Sequence, residues 1–209
     1  MLLFSRAVTL GGSPRRVGPW VQQVTDHVRS HSSLDVTAWS CQFGHPLGTV
    51  VWNALVESQA DLAEATAGLA SDGAYLDILE SAEGMAVAPG EDALREILHG
   101  SPSEPPPLGA VATVTNAVAL VDRMADAVGW GIEMAEHIGQ VTDMETSVSR
   151  CHYGQMGQLT WIGVQPDIAA ADAAGAKLRV DPGYISRLTG TAGLFIPGSG
   201  HVASFTRIA

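Results

Sequence analysis

The residues best suited to chemistry are Arg150 and His152, which stand two positions apart in a run of β-forming residues. Because side chains two apart on a strand point to the same face, the guanidinium and the imidazole would act side by side. An imidazole can take up a proton near neutral pH, and a guanidinium can hold the anion that results. Together they could ionise a phenol or enol, giving a carbanion equivalent that reacts with dioxygen without metal or flavin. We therefore assign His152 as the candidate base and Arg150 as its oxyanion partner.

Other side chains are expected on the same face. Strand alternation adds Ser40 and Gln42, and hairpin pairing adds Trp52 and Trp161. We expect this face to line the inside of the fold, where two indoles and a few polar groups suit an aromatic or polycyclic guest. Asn116, on another strand, adds a further polar contact. The predicted substrate contacts are therefore Trp52, Trp161, Ser40, Gln42 and Asn116.

The inward orientation of these side chains is inferred from the row of residues that alternates with them on the same strands. That row contains Trp39 and Cys41, is the more apolar of the two rows, and is therefore expected to face the helices. The alternative interpretation places Arg150 and His152 at the rim in water, where they would form a surface ion pair with a residue such as Glu145.

The positions of these candidates follow from an internal repeat. Paired landmarks recur in the same order at a separation that drifts from 110 to 108 positions. The pairs are Trp20 and Trp130, His27 and His137, Cys41 and Cys151, Trp52 and Trp161, Asp72 and Asp181, and Pro89 and Pro197. Between the copies, the proline-rich segment 101–107 is typical of a stiff connector. We predict a first repeat over residues 1–100, a linker over 101–107 and a second repeat over 108–209.

Each repeat has the pattern of a βαββαβ unit. Predicted strands are Phe4–Leu10, Asp35–Phe43, Thr49–Val56 and Ala93–His99, then Ala110–Asn116, Ser147–Tyr153, Gln158–Val164 and Val202–Ile208. Apolar residues at spacings of three and four predict a helix after Ser13-Pro14, and Ser58 resembles the start of a capping box that opens a second helix. We therefore predict the α+β class: two tandem ferredoxin-like repeats that pack sheet to sheet around a shared interior.

In element order, duplication and the spacing of the paired landmarks, the whole chain resembles the dimeric α/β-barrel superfamily. Members of that superfamily usually pair two identical chains, whereas here both halves would be fused. The resemblance implies a pseudo-dimeric barrel with its helices outside. It also implies an enzyme most like an antibiotic-biosynthesis-type monooxygenase or a cyclase, acting without a cofactor on a hydrophobic aromatic substrate.

Two other functions stay open at this point. Superfamily members that degrade haem are similar in fold and use an asparagine on the first strand, a tryptophan and a histidine. Asn116 resembles the first of these, but Val56 and Gln165 stand where the tryptophan is expected. The chain could also be a non-catalytic small-molecule carrier or interaction module, since fusion holds the two halves together at high effective concentration.

The charge balance limits the partners. The chain has 22 acidic and 11 basic residues, so surfaces that bind nucleic acid or anionic membranes are not expected. Its longest apolar stretches are shorter than the roughly 20 residues of a spanning helix. Two cysteines and the lack of a leader-like start lead us to expect a cytoplasmic protein. No histidine spacing suggests a metal site, and a homo-oligomer built through the outer helices is left open.

Overall fold

The computed structural model describes residues 1–100 and 104–209, so residues 101–103 of the predicted linker lie outside the described residues. In the first repeat the elements are β1 (Leu2–Thr9), α1 (Pro14–His31), β2 (Thr37–Phe43), β3 (Thr49–Val56), α2 (Gln59–Ala70), α3 (Gly73–Glu80) and β4 (Glu91–His99). The second repeat has β5 (Val111–Val118), α4 (Met124–Thr142), β6 (Thr146–Tyr153), β7 (Gln158–Gln165), α5 (Ile168–Val180), α6 (Pro182–Thr189) and β8 (His201–Arg207). The division at 1–100, 101–107 and 108–209 stays a prediction.

The eight strands form one closed barrel in the order β1-β3-β2-β8-β5-β7-β6-β4. Each repeat contributes four neighbouring strands, and the two sheets join where β2 pairs with β8 and β4 pairs with β6. Both joins are antiparallel, so all edge strands of the two sheets are paired. The predicted fold class is confirmed, and the two sheets are also joined through hydrogen-bonded edges.

Helix boundaries follow from local capping. The Ser13 side chain accepts from the Arg15 amide at the start of α1, with Pro14 at the first helical position. The Ser58 hydroxyl accepts from the Asp61 amide, so Ser58 is the N-cap of α2. The Asp61 carboxylate accepts from the Ser58 hydroxyl and not from the Ser58 amide as in a full capping box. α2 ends at Ala70, and the Asp72 side chain then caps the start of α3 by accepting from the Ala74 and Tyr75 amides.

Two layers of packing surround the barrel wall. The outer layer lies between the sheets and the helices, and in the first repeat it holds Val24, Val28, Ala38 and Trp52. The inner layer fills the barrel itself with the buried residues Trp39, Cys41, Ala110, Ala112, Ala203 and Phe205. A closed barrel of eight strands leaves an interior that side chains fill, so the inner layer is a true core.

Among the helices of the described residues, none combines the length and the apolar composition needed to cross a bilayer.

Candidate functional site

The two tryptophans predicted to line the barrel interior instead lie between the sheets and the helices. The Trp52 Nε1–H donates to Thr25 Oγ1 on α1 at 3.0 Å. The Trp161 Nε1–H donates to the Gly131 carbonyl on α4 at 3.0 Å. Both indoles are buried in the outer layer. The predicted inward orientation is therefore wrong for both residues.

Arg150 and His152 also lie on the outer face of the barrel. Arg150 Nη2 is 2.6 Å from Glu96 Oε2 on the neighbouring strand, and the arginine side chain is half exposed. His152 is exposed, and its Nε2 lies 2.6 Å from Gln59 Nε2 on α2. The predicted inward orientation is wrong here too, and Arg150 forms a surface ion pair, with Glu96 rather than Glu145 as its partner. No enclosed site surrounds these two side chains in the described residues, so the geometry does not support their predicted catalytic roles.

The remaining predicted contacts divide between the two faces. Ser40 and Gln42 lie on the outer row of β2 with Ala38, which packs in the outer layer. Asn116 lies on the inner face, where its Oδ1 accepts from Thr160 Oγ1 at 2.7 Å. Inward orientation is therefore wrong for Ser40, and Gln42 is exposed at the irregularity of β2 between Cys41 and Phe43. Asn116 lies on the opposite face of the barrel wall from Arg150.

These errors have one cause, the face assigned to each row. The register puts Trp52 opposite Ala38 and Trp161 opposite Val148, so the tryptophans share a face with the outer rows as predicted. The more apolar row was expected to face the helices. In a closed barrel, however, side chains fill much of the interior, and the apolar row that includes Trp39 packs there.

An aromatic pocket opens on the outer face of the second repeat. It has a volume of about 200 Å³ and lies between β5, β7, α4 and α6. Three rings form its base: the Trp130 and Trp161 centroids are 5.8 Å apart with planes at 79°, and Phe195 lies 5.4 and 6.0 Å from them. Leu188 and Ile196 at its edge are each 45% exposed. Such an apolar rim is typical of a ligand entrance.

The internal repeat explains why this pocket exists. The pairing of β1 with β3 and of β5 with β7 aligns Arg6 with Thr115 and Val8 with Ala117. Along the outer rows, each residue of β5 is smaller than its counterpart in β1. The counterparts are Leu2 and Val111, Phe4 and Thr113, Arg6 and Thr115, and Val8 and Ala117. The same register aligns Asn116 with Ala7.

The first repeat fills the equivalent space with charge and bulk. Arg6 Nη2 is 2.7 Å from Asp92 Oδ2, and the guanidinium lies over the Phe4 ring at 5.7 Å from its centroid. In the second repeat the residues paired at this place are Thr115 and Val202, which cannot form an ion pair. The opening is therefore a specific difference between two copies of one scaffold.

Tyr184 supplies one of the hydroxyl groups that line the pocket, together with Thr115, Thr191 and Ser199. The Tyr184 side chain is half-buried, and within the described residues its hydroxyl has no hydrogen-bond partner. Burial raises the pKa of the Tyr184 phenol, so the hydroxyl stays protonated near neutral pH and can donate to a ligand oxygen. Every other described lining residue is uncharged, which favours a neutral, apolar guest.

A histidine–aspartate pair lies beside the pocket. His137 Nε2 is 2.6 Å from Asp181 Oδ1, and the same carboxylate oxygen accepts from the Tyr184 amide at the start of α6. The first repeat has the same arrangement between His27 and Asp72 at 2.7 Å. The pair is present in both repeats, whereas the aromatic pocket lies in the second repeat. We therefore assign both pairs to positioning the helices.

One cluster brings together groups that bind metals. Ligand atoms of His27, His31 and Asp72 lie within 4.8 Å of one another. The two imidazole rings stack with planes at 5°, so their in-plane lone pairs run parallel instead of converging on one ion. Asp72 also caps α3 through the Ala74 and Tyr75 amides. The cluster is better explained by hydrogen bonding and stacking.

Sequence reasoning missed Trp130, Tyr184 and Phe195 as candidate site residues. Trp130 and Tyr184 have counterparts in the first repeat, Trp20 and Tyr75, as residues needed only for packing would. The usable signal was the loss of side-chain volume between Arg6 and Thr115 and between Val8 and Ala117.

Comparisons with known proteins identify the fold. No family model matches the chain, and no curated protein matches it in sequence. Solved structures match over its whole length. A protein provisionally named a monooxygenase, from Fusobacterium nucleatum, has a TM-score of 0.73 at 9% identity, covering 100% of this chain and 92% of its own. An anthrone oxidase-like protein has a TM-score of 0.65 at 12% identity, covering 100% and 91%.

A haem-degrading enzyme from Listeria monocytogenes is also similar, with a TM-score of 0.53 at 8% identity and 99% coverage of both chains. At these identities the similarities establish the fold alone. The chain has the dimeric α/β-barrel, ferredoxin-like fold, with both halves in one polypeptide.

Proposed function

We propose that the chain is an enzyme that binds a hydrophobic aromatic substrate in the aromatic pocket of its second repeat and oxidises it with dioxygen, without a cofactor. The observation that carries the proposal is the opening formed where Thr115 and Ala117 replace Arg6 and Val8. A cavity of about 150 Å³ lined by apolar side chains binds benzene, so a pocket of about 200 Å³ accommodates one or two fused rings. Three aromatic walls favour edge and face contacts with such rings.

The class of reaction is inferred from the chemistry of an aromatic substrate. An activated methylene group next to an aromatic ketone can lose a proton and pass electrons to dioxygen. Its two hydrogens and one oxygen atom leave as water, and the other oxygen atom becomes a carbonyl, so no external reductant is needed. The Tyr184 phenol would donate to the developing enolate oxygen. The solved neighbours named as monooxygenase and anthrone oxidase-like agree with this class.

Haem fits the pocket poorly. Pockets for drug-sized ligands begin at about 300 Å³. The aromatic pocket, of about 200 Å³, is smaller than that, and the haem macrocycle is larger than most such ligands. The propionates of haem also require cations, whereas the described lining has no charged side chain. We derive no step through haem.

The test refills the pocket with the residues of the first repeat. The variant carrying Thr115→Arg and Ala117→Val should bind naphthols at least about tenfold more weakly than the wild type. Its oxygen consumption with 1-naphthol should fall in parallel. The matched control carries Thr113→Arg, an exposed position on the same outer row of β5 that does not line the pocket, and it should keep wild-type affinity. Unchanged affinity in the refilled variant, with retained folding, would contradict the proposal.

A carrier function makes a different prediction in the same experiment. The absence of a charged side chain from the described lining favours it, because proton abstraction has no dedicated base there. Binding that depends on Thr115 and Ala117, without oxygen consumption above the uncatalysed rate, would establish a carrier and reject the enzyme.

A further inference from the structure

A second and larger cavity lies at one end of the barrel, separate from the aromatic pocket. It has a volume of about 410 Å³, within the range of small-molecule sites. Its walls are inner-layer side chains at the ends of the strands: Leu3, Trp39, Leu55, Ile97, Ile162 and Val164. Residues Pro105 and Pro106 lie across its mouth, where Pro106 accepts a hydrogen bond from Arg207. The cavity is therefore a walled space with an apolar interior.

Every charged side chain that lines this cavity in the described residues is a carboxylate. Asp35, Glu104 and Glu145 stand at its mouth, each on a different connecting segment. Asp35 reaches Arg29 at 3.8 Å, whereas Glu104 and Glu145 have no ion-pair partner among the described residues. Two guanidiniums lie close by: Arg29 pairs with Asp35, and Arg207 donates to the Pro106 carbonyl at the mouth. Neither lines the cavity, so Glu104 and Glu145 leave the mouth with a net negative charge.

The interior offers contacts suited to the body of an aromatic amine. The Trp39 Nε1–H donates to Thr37 Oγ1 at 2.9 Å, so the indole that lines the cavity is held in place. An aromatic ring packs favourably against an indole. The Asn53 side-chain amide also lines the cavity and has no hydrogen-bond partner among the described residues.

We propose that this cavity binds an organic cation, an amine with an apolar or aromatic body. The apolar body would occupy the barrel interior against Trp39, and the ammonium group would lie near Glu104 and Glu145. An anion of the same shape would meet the same walls but would be repelled at the mouth. This site differs from the aromatic pocket in place and in charge, so it does not depend on the proposed function.

The test uses three probes of one shape that differ in charge: phenethylamine, 2-phenylethanol and 3-phenylpropionate. Phenethylamine should shift the indole NMR signal of Trp39 and bind at least about tenfold more tightly than 3-phenylpropionate. Glu145→Gln and Glu104→Gln should each weaken phenethylamine binding about two- to fivefold, without changing 2-phenylethanol binding. Glu136→Gln, an exposed change of equal charge on α4, is the matched control and should have no effect.

Added salt should weaken the binding of the amine alone. Equal affinity for all three probes would overturn the proposal, and so would phenethylamine shifts confined to Trp130 and Trp161. The absence of any Trp39 shift at millimolar phenethylamine would overturn it as well.

Discussion

Asp72 and Asp181 each hold two elements together with one carboxylate. Each caps a short helix and also accepts from a histidine on the long helix of its repeat. The hydrogen bond from His27 is the main cause that lowers the pKa of Asp72, and the bond from His137 does the same for Asp181. A carboxylate with a lowered pKa stabilises the folded state only while it is ionised.

This coupling predicts an acid-dependent stability. The contribution of both pairs should be fully present above the ordinary aspartate pKa of about 4 and should be lost as the pH falls through the lower folded-state values. Urea unfolding between about pH 2 and 6 should therefore show a falling free energy of unfolding below about pH 4. The variant with His27→Gln and His137→Gln should show a shallower fall.

The control for this pH series is His31→Gln, because His31 stacks on His27 without contacting Asp72 through a hydrogen bond. Its slope should match the wild type. An unchanged slope in the double variant would show that other carboxylates cause the acid sensitivity.

At the scale of elements, α4 sits closely on its sheet because position 131 has no side chain. A Cβ built on Gly131 would lie 2.9 Å from Trp161 Cζ2, whereas a Cβ on Gly129 would meet nothing within 4 Å. Gly131→Ala should therefore destabilise the fold by about 1–3 kcal/mol and displace the base of the aromatic pocket. Gly129→Ala, on the exposed side of the same helix, should stabilise it by up to about 1 kcal/mol.

Thermal or urea unfolding of the two alanine variants measures this difference. Equal stabilities would mean that α4 shifts freely on the sheet and that the indole position does not depend on Gly131.

Most elements were predictable from the sequence because caps and periodicity are local. Ser58 predicts the start of α2, and the predicted strand Thr49–Val56 is the observed one. The faces of the strands were not predictable in the same way. Trp52 is suited equally to a barrel interior and to a helix contact, and only the closure of the barrel decides between them. The aromatic pocket depends on residues such as Phe195 that meet Trp161 through tertiary packing alone.

The whole molecule is joined by strands of both repeats, so the repeats should unfold together. Phe205 of β8 lies in the inner layer with Trp39 and Cys41 of the other repeat, and it is 6% exposed. Phe205→Ala should therefore cost about 3–5 kcal/mol and lower the stability of both halves in a single transition. Near-UV circular dichroism and tryptophan fluorescence should report the same midpoint. Two separate midpoints would show that the halves are independent domains.

The indole NMR signals test the central claim most directly, because the five tryptophans report from three separate places. Trp20 and Trp52 lie in the first repeat, Trp39 lies in the barrel, and Trp130 and Trp161 form the aromatic pocket. Each signal can be assigned by a tryptophan-to-phenylalanine variant. Titration with a naphthol should shift the signals of Trp130 and Trp161 and leave those of Trp20 and Trp52 unchanged. Shifts at Trp20 and Trp52, or equal shifts in both repeats, would contradict a binding site built by the loss of Arg6 and Val8 from the second copy.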